Sequence, residues 1–304
     1  MGDYKMKLVT VIIPTYSRPK FLPRAIESVL SQTYPEIEII VVDDNGEGTE
    51  NQKYTEELIR DYIDNKQVVY LKHDKNKNGS AARNTGFKYS HGDYIAFLDD
   101  DDQFLPTKIE KQVEKLEHSS ANVGACYCNW AWYNENKLKK SNKELGEGNL
   151  LESMLLMKNI ICGGSSLLIR SSVYIEMNGF DESFRRHQDW EFLIRFFRKY
   201  EIALVDEILL FIHIESRIFT TNPKIVEQVR LKYINTFKKD INLCKRANEI
   251  YMLQYLAISI AYFRNGNFKS GYKWLNKASK YHFVGFLNLL KCLYAYSRFI
   301  LESI

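Results

Sequence analysis

Four consecutive aspartates, Asp99 to Asp102, follow directly on an apolar run, Ile95 to Leu98, in the stretch YIAFLDDDDQF. Carboxylates crowded in this way stay in water, take up protons or share a cation, and the apolar residues in front of them favour the shared cation. A second acidic pair, Asp43 and Asp44, ends the apolar run IEIIVV in the same manner. A further acid, Asp189 in RRHQDWEFLIRF, opens a helix-period segment with Phe192, Leu193, Phe196 and Phe197 on its inner face, where position alone favours a helix cap. The plain alternative is that these acids cap helices, but a cap uses one aspartate, and the run of four emerges from a strand beside another acidic strand end.

The elements that must hold these acids are legible as an α/β fold. LVTVIIP reads as a first strand, and RPKFLPRAIESVLSQT as a helix with Leu22, Ile26, Val29 and Leu30 on one face. IEIIVVDD is a second strand, a charged helix begins near Glu50, and VVYL is a third strand. NGSAARNTGFKYS opens a helix with Ser80 as its expected cap, and YIAFLDDDD is a fourth strand, followed by a helix with Ile109, Val113 and Leu116 inward. Alternating strands and helices predict a mostly parallel sheet flanked by helices, and in such a sheet the strand ends share one edge. Asp43, Asp44 and the run at Asp99 therefore converge on the crevice where open α/β sheets bind ligands. Further strands are expected between Val123 and Tyr133, in GGSSLLIR, and in the paired runs IALV and ILLFIHI, with the helix from about Gln188 before the last two.

Acidic strand ends suggest a nucleotide site. The turn after the first strand reads PTYSRP, so neither the dinucleotide pattern G-x-G-x-x-G nor the phosphate loop G-x-x-x-x-G-K-[ST] is present there. Without a glycine cradle a diphosphate needs another counter-charge, and a divalent cation held by the aspartate run supplies one.

The ordered set VTVIIPTYSRPKFL, IEIIVVDDNG, NGSAARNTGF, GDYIAFLDDDD, GGSSLLIR, NGFDESF with HQDWEFLIR, and FIHIESRIFT resembles family 2 glycosyltransferases of the GT-A fold over about the first 220 residues. The resemblance implies that Pro14, Thr15, Tyr16 and Arg18 flank the uridine of a UDP-sugar, that Asp43 hydrogen-bonds the base, and that Arg83 lies against the nucleoside. It implies a D-x-D motif over Asp99, Asp100 and Asp101, with Asp99 and Asp100 on the donor side and Asp101 a ligand of Mn²⁺ or Mg²⁺; His213 is a further candidate metal ligand. Asp102 is expected to cap or support its neighbours. Asp189 matches the catalytic base of inverting enzymes, and Trp190 is a candidate wall for the acceptor sugar. A structural ion pair between Arg83 and Asp99 is an equal reading of Arg83, and a satisfied core histidine an equal reading of His213.

The net charge of +4 conceals a division: residues 215–304 carry 15 Lys and Arg against 5 Asp and Glu, whereas the first 214 residues sum to −6. From Asn222-Pro223 the chain reads as helical to its end, a C-terminal region of residues 221–304 following a catalytic domain of residues 1–220. One segment there, YLAISIAYFRNGNFKSGYKWLNKASKYHF, resembles a tetratricopeptide helix pair turning at Gly266. Cations interleaved with Tyr, Trp, Phe and Leu suit an anionic membrane surface better than nucleic acid, with homo-oligomerisation through the helices as the alternative. Five cysteines without a C-x-x-C pair give no disulfide framework; Cys126 and Cys128 are read as alternate faces of a strand rather than half a zinc site. No apolar run reaches the length of a membrane span, so the expectation is a cytoplasmic protein, peripheral at the inner face of the cell membrane. The expected activity is transfer of a sugar to a saccharide or lipid-linked saccharide in surface polysaccharide synthesis. The competing functions are a sugar nucleotidyltransferase, which should carry a glycine- and basic-rich loop after the first strand, and a non-catalytic scaffold of the same fold.

Overall fold

The computed structural model describes residues 6–134, 137–140, 146–158, 161, 163–213, 222–285 and 290. The chain divides into two compact units: one of residues 1–151 and 159–217, the other of residues 152–158 and 218–304.

The first unit is built on a sheet in which β1 (Val9–Thr15), β2 (Ile37–Asp43), β3 (Val69–Lys72) and β4 (Tyr94–Phe97) run parallel in the order β3-β2-β1-β4. β1, β2 and β4 are apolar and largely buried, as strands covered on both faces by helices must be. One covering helix is α1 (Leu22–Leu30), packed through Leu22, Ala25, Ile26 and Val29; Leu30, expected inward, is 38% exposed because the last helical residue has turned past the buried stripe. The opposite face is covered by α4 (Gly79–Lys88), after α2 (Glu50–Leu58) and the short α3 (Arg60–Asp64). Gly86 lets α4 lie directly on the sheet, since a Cβ there would stand 2.5 Å from Ile12 Cγ2.

The cap of α4 is Asn78, not Ser80. Its side chain accepts from the Ser80 and Ala81 N–H groups, and its φ of 87° places it in the left-handed region that Asn tolerates better than most residues.

Beyond β4 the sheet becomes mixed. β5 (Asp102–Phe104) follows the aspartate run, α5 (Lys108–Glu117) leads into β6 (Val123–Asn134) and β7 (Lys137–Lys140), and α6 (Leu151–Leu155) precedes β8 (Leu167–Arg170). α7 (Ser171–Glu176) and α8 (Gln188–Phe196) then lead to β9 (Glu201–His213), and the order continues β4-β8-β6-β9-β5. The run IALV and the residues ILLFIH up to His213 form this single strand, and the register of its pairing with β6 shifts between Cys128 and Trp130. An irregularity of that kind bends both strands without ending them. Cys126 and Cys128 are both buried and face one core, because residues two apart on a strand share a face; the expectation of alternate faces was incorrect.

The second unit is helical in its described residues: α9 (Pro223–Thr236), capped by Asn222 with Pro223 at the first position as the sequence implies, then α10 (Lys238–Leu243), α11 (Ala247–Arg264) and α12 (Phe268–Ser279). α11 and α12 form an antiparallel pair turning at Gly266, whose φ is 69°. No helix among the described residues is long and apolar enough to cross a membrane. The expectation of helix to the chain end extends past the described residues, as does the segment following His213 in FIHIESRIFT.

Candidate active site

The run at Asp99 is not a helix cap. It forms the turn between β4 and the three-residue β5, which pairs antiparallel with β9 so that Asp102 stands opposite Ile212. Four adjacent carboxylates are tolerated there because each accepts a hydrogen bond, two of them from a shared arginine. Asp99 accepts from Arg83 Nη2 at 2.5 Å; Asp100 accepts from Arg18 Nη2 at 2.6 Å and from the Thr15 hydroxyl at 2.7 Å. Asp101 takes the other arm of Arg18, while Arg24 donates to its carbonyl at 2.8 Å. Asp102 accepts from the Ser165 hydroxyl at 2.8 Å, which itself accepts from the Asp99 N–H at 3.0 Å, so Asp102 supports the turn from behind. The Asp100, Asp101 and Asp102 side chains are almost fully buried, and Asp99 alone of the four is a third exposed.

Electrostatics follow from that burial. Desolvation pushes the Asp100 carboxyl up to about 7, against the lowering influence of Arg18 and Thr15, with Asp101 and Asp99 adding to the rise. Burial works to lower the Arg18 guanidinium, but the four aspartates together hold its pKa above the ordinary value.

The residues expected around the nucleoside occupy the adjoining edge. Thr15 ends β1 and is turned to Asp100, Pro14 lies in the same strand, and Tyr16 is half exposed at the rim. Arg18, expected beside the uridine, bonds to Asp100 and Asp101 of the aspartate run. Asp43 is fully buried: it accepts from the Asn45 N–H at 2.8 Å and the Tyr70 hydroxyl at 2.6 Å, which raises the Tyr70 pKa together with burial of the phenol. Asp44 organises the loop before α4, accepting from His73 Nδ1, Asn76 Nδ2, and the N–H groups of Lys77 and Asn78 at 2.7–2.9 Å.

Asp189 lies in the first turn of α8, behind His187, which adopts a left-handed φ of 56° and stacks on Trp190 with ring centroids 4.6 Å apart. Burial raises the Asp189 carboxyl above the usual range, and Arg83 opposes the rise. A carboxylate raised in this way is a better proton acceptor for a hydroxyl. Gly163 adopts φ 62°, a left-handed conformation that favours glycine, and an added Cβ would be in ordinary contact with Asp189 Oδ2 at 3.6 Å. Glu191 is structural: it pairs with Arg195, which donates to the carbonyls of Met177 and Gly179.

Between the aspartate run and Asp189 stands a junction that sequence reasoning missed. Arg83 donates through Nη1 to Gln188 Oε1 at 2.9 Å and to the Gly79 carbonyl at 3.2 Å, while its Nη2 holds Asp99. Gly79 makes room for this: a Cβ would stand 2.9 Å from Arg83 Nη1 and 3.1 Å from Gln188 Oε1. The Arg83–Asp99 pair anticipated as a structural alternative is thus present, and the motif neighbour of Asp189 is its third member.

Among the described residues no three His, Cys, Asp or Glu side chains are grouped as a ready metal cage. The all-oxygen donors of the run suit a hard divalent ion that takes one or two protein carboxylates and completes its shell with substrate phosphate. His213 ends β9 next to Ile212, buried, with Nε2 3.3 Å from Gln103 Oε1 and its ring 5.0 Å from that of Tyr133.

Comparison with known proteins is consistent with this edge. The family model described as Glycosyl transferase family 2 matches residues 10–177. An uncharacterized glycosyltransferase of Methanocaldococcus jannaschii is 30% identical over 223 residues, covering 71% of this chain and 74% of that protein. A UDP-Glc:alpha-D-GlcNAc-diphosphoundecaprenol beta-1,3-glucosyltransferase of Escherichia coli is 33% identical over 138 residues, 45% of this chain and half of that one. Among solved structures, a mannosyltransferase of Pyrobaculum calidifontis in complex with GDP-Man and Mn²⁺ superposes with a TM-score of 0.61 at 15% identity, over 99% of this chain and 84% of that one.

Proposed function

The chain belongs to glycosyltransferase family 2, with the GT-A fold, and we propose that it is an inverting, metal-dependent enzyme moving a sugar from a UDP-sugar to a saccharide or lipid-linked saccharide acceptor in surface polysaccharide synthesis. The observation that carries this reading is the arrangement of Asp99, Arg83, Gln188 and Asp189: the Arg83 guanidinium bonds to Asp99 and to Gln188, the chain neighbour of Asp189, and its charge acts on the buried Asp189 carboxyl. The acceptor hydroxyl attacks the anomeric carbon as Asp189 takes its proton; the bond from that carbon to the diphosphate oxygen breaks, and UDP departs on the opposite face. One displacement with one base inverts the anomeric configuration. Asp101, with Asp99 beside it and His213 at the end of β9, would hold Mn²⁺ or Mg²⁺, which supplies counter-charge to the leaving diphosphate.

On the donor side Pro14, Thr15 and Tyr16 form the edge against the uridine, and Asp43, buried against Asn45 and Tyr70, is the partner proposed for the base once a contact with one of them is given up. Arg83 and Asp100 complete the donor wall. Gly163 and Gly164 line the space beside Asp189 and Arg83, where the sugar would lie. In this reading the helical unit serves the acceptor, which resides at a membrane surface when lipid-linked.

Metal-dependent nucleotide release from a panel of UDP- and GDP-sugars tests the proposal. It predicts release from one UDP-sugar with Mn²⁺ or Mg²⁺, abolished by chelation; equal release without metal, or by Asp189→Asn at the wild-type rate, overturns it.

A further inference from the structure

Between Glu249 and Glu302 the sequence contains no Asp or Glu, yet it carries Arg264, Lys269, Lys273, Lys277, Lys280, Lys291 and Arg298. Solvated helices of globular proteins ordinarily mix both signs on the outer face, and this stretch does not. The structure shows how the described part of it is used. α12 buries one stripe, Gly271, Trp274 and Ala278, on the second unit's own core. The contact is tight, because a Cβ on Gly271 would fall 2.7 Å from the Phe263 ring and the Ser259 hydroxyl donates to the Gly271 carbonyl at 2.8 Å.

The opposite face carries two adjacent stripes. Phe268 and Tyr272, one turn apart, are 40% and 68% exposed, and Phe283 just beyond the helix is 80% exposed. Beside them Lys269, Lys273 and Lys280 are exposed at helical spacing. Lys277 differs: its ammonium lies over the rings of Tyr255 and Trp274 at 4.4 and 4.9 Å, so it is turned back toward the protein. Aromatic rings beside long cationic stems, with no acid in the sequence between Glu249 and Glu302, form the pattern by which a surface helix seats its rings at the headgroup level while its ammonium groups meet anionic phosphates.

We propose that this face of α12, with Phe283, docks on an anionic lipid surface, and that its recognition is for negatively charged headgroups. The binding is independent of sugar transfer, so it stands or falls separately from the donor chemistry above.

The full-length protein floated with phosphatidylcholine vesicles, and with vesicles in which roughly a third of the lipid is phosphatidylglycerol, provides the test. The expected result is binding to the anionic vesicles only, lost in about 1 M salt, where screening shortens to about 3 Å. Lys269→Gln, Lys273→Gln and Lys280→Gln should each weaken partitioning about fivefold. The matching Arg substitutions should retain it, and Tyr272→Ser with Phe283→Ser should weaken binding without removing its salt dependence. All these positions are exposed, and circular dichroism confirms that the variants fold. Equal binding to neutral vesicles, absence of binding to either, preferential capture by single-stranded RNA in competition, or a Tyr272-dependent dimer that excludes vesicles would each overturn the proposal.

Discussion

The aspartate edge of the first unit and the outer face of α12 use charge in opposite ways. At the edge, Asp99, Asp100, Asp101 and Asp102 each meet a named donor within a buried turn, and two arginines are divided among three of the acids. On α12 the cations Lys269, Lys273 and Lys280 share an outer face with no acid nearby in sequence. The first arrangement specifies geometry, because charges taken from water must be matched group by group. The second sets a field, which acts on any surface of opposite sign and is screened by salt. Substitutions at the edge should therefore change chemistry and leave salt dependence alone, and those on α12 should do the reverse.

The largest effect expected is at Asp189. Asp189→Asn removes the proposed proton acceptor and should lower turnover about 10³-fold, measured as sugar transfer with the donor identified from the panel. Lys273→Gln, assayed on a soluble acceptor, should leave turnover within about twofold. If the two variants fell by similar factors, the separation drawn here between a site and a field would be wrong.

Arg18 offers a sharper test, because it holds both buried acids with its side chain about a third exposed. If Asp101 holds the metal as proposed, the Arg18 guanidinium competes with the ion for that carboxylate in the absence of nucleotide. Arg18→Gln should therefore bind Mn²⁺ alone about tenfold more tightly by titration calorimetry, and unfold about 1–2 kcal/mol more easily when metal is withheld. Unchanged Mn²⁺ affinity would show that Arg18 is a strut and not a competitor.

Two glycines on α4 separate positioning from packing. Gly79→Ala presses on the ends of two flexible side chains, Arg83 and Gln188, so its structural cost should stay below about 1 kcal/mol while turnover falls about tenfold. Gly86→Ala instead drives a methyl into Ile12 and Val42, which should cost about 1–3 kcal/mol in denaturant unfolding, partly offset by the better helix propensity of Ala. A stable but slow Gly79→Ala variant would confirm that the Arg83–Gln188 junction acts on the chemistry.

These residues also mark what the sequence made legible. Strands β1 to β4 and their helices follow from periodicity, and Asp99 to Asp101, Asp189 and Arg83 were recognisable because their motifs are contiguous. β5 was not: three residues form a strand only because β9, over a hundred residues later, supplies the partner edge. The same non-local pairing joins IALV and ILLFIH across exposed Asp206 and Glu207, which locally read as a break. Gln188 was invisible as a partner of Arg83 for that reason too, since 105 residues separate them. The Asn78 cap could have been found, because Asn before Gly is the residue that accepts a left-handed φ most readily.

Lys108 carries the comparison into the core. It is fully buried, donating to Gln112 Oε1 at 2.7 Å and lying 3.9 Å over the Phe104 ring, whereas the lysines on the outer face of α12 remain in water. Desolvation lowers its pKa to about 8 from 10.5. Above pH 8 the folded chain has released this proton and the unfolded chain still binds it, so Lys108 makes stability rise with pH toward 10.5, by at most about 1.4 kcal/mol per pH unit. Cys126 and Cys128 act oppositely: burial raises their thiols to about 12 and 11 from 9.0, so the folded chain keeps protons that the unfolded chain loses, and stability falls above pH 9. The Lys108 contribution is thus cleanest between about pH 8 and 9. Chemical unfolding across that interval should show Lys108→Met losing the upward contribution that the wild type has, while Lys273→Gln keeps it. If Lys108→Met and the wild type had parallel profiles, the buried amine would be charged in the core throughout, and desolvation would not distinguish the two classes of lysine.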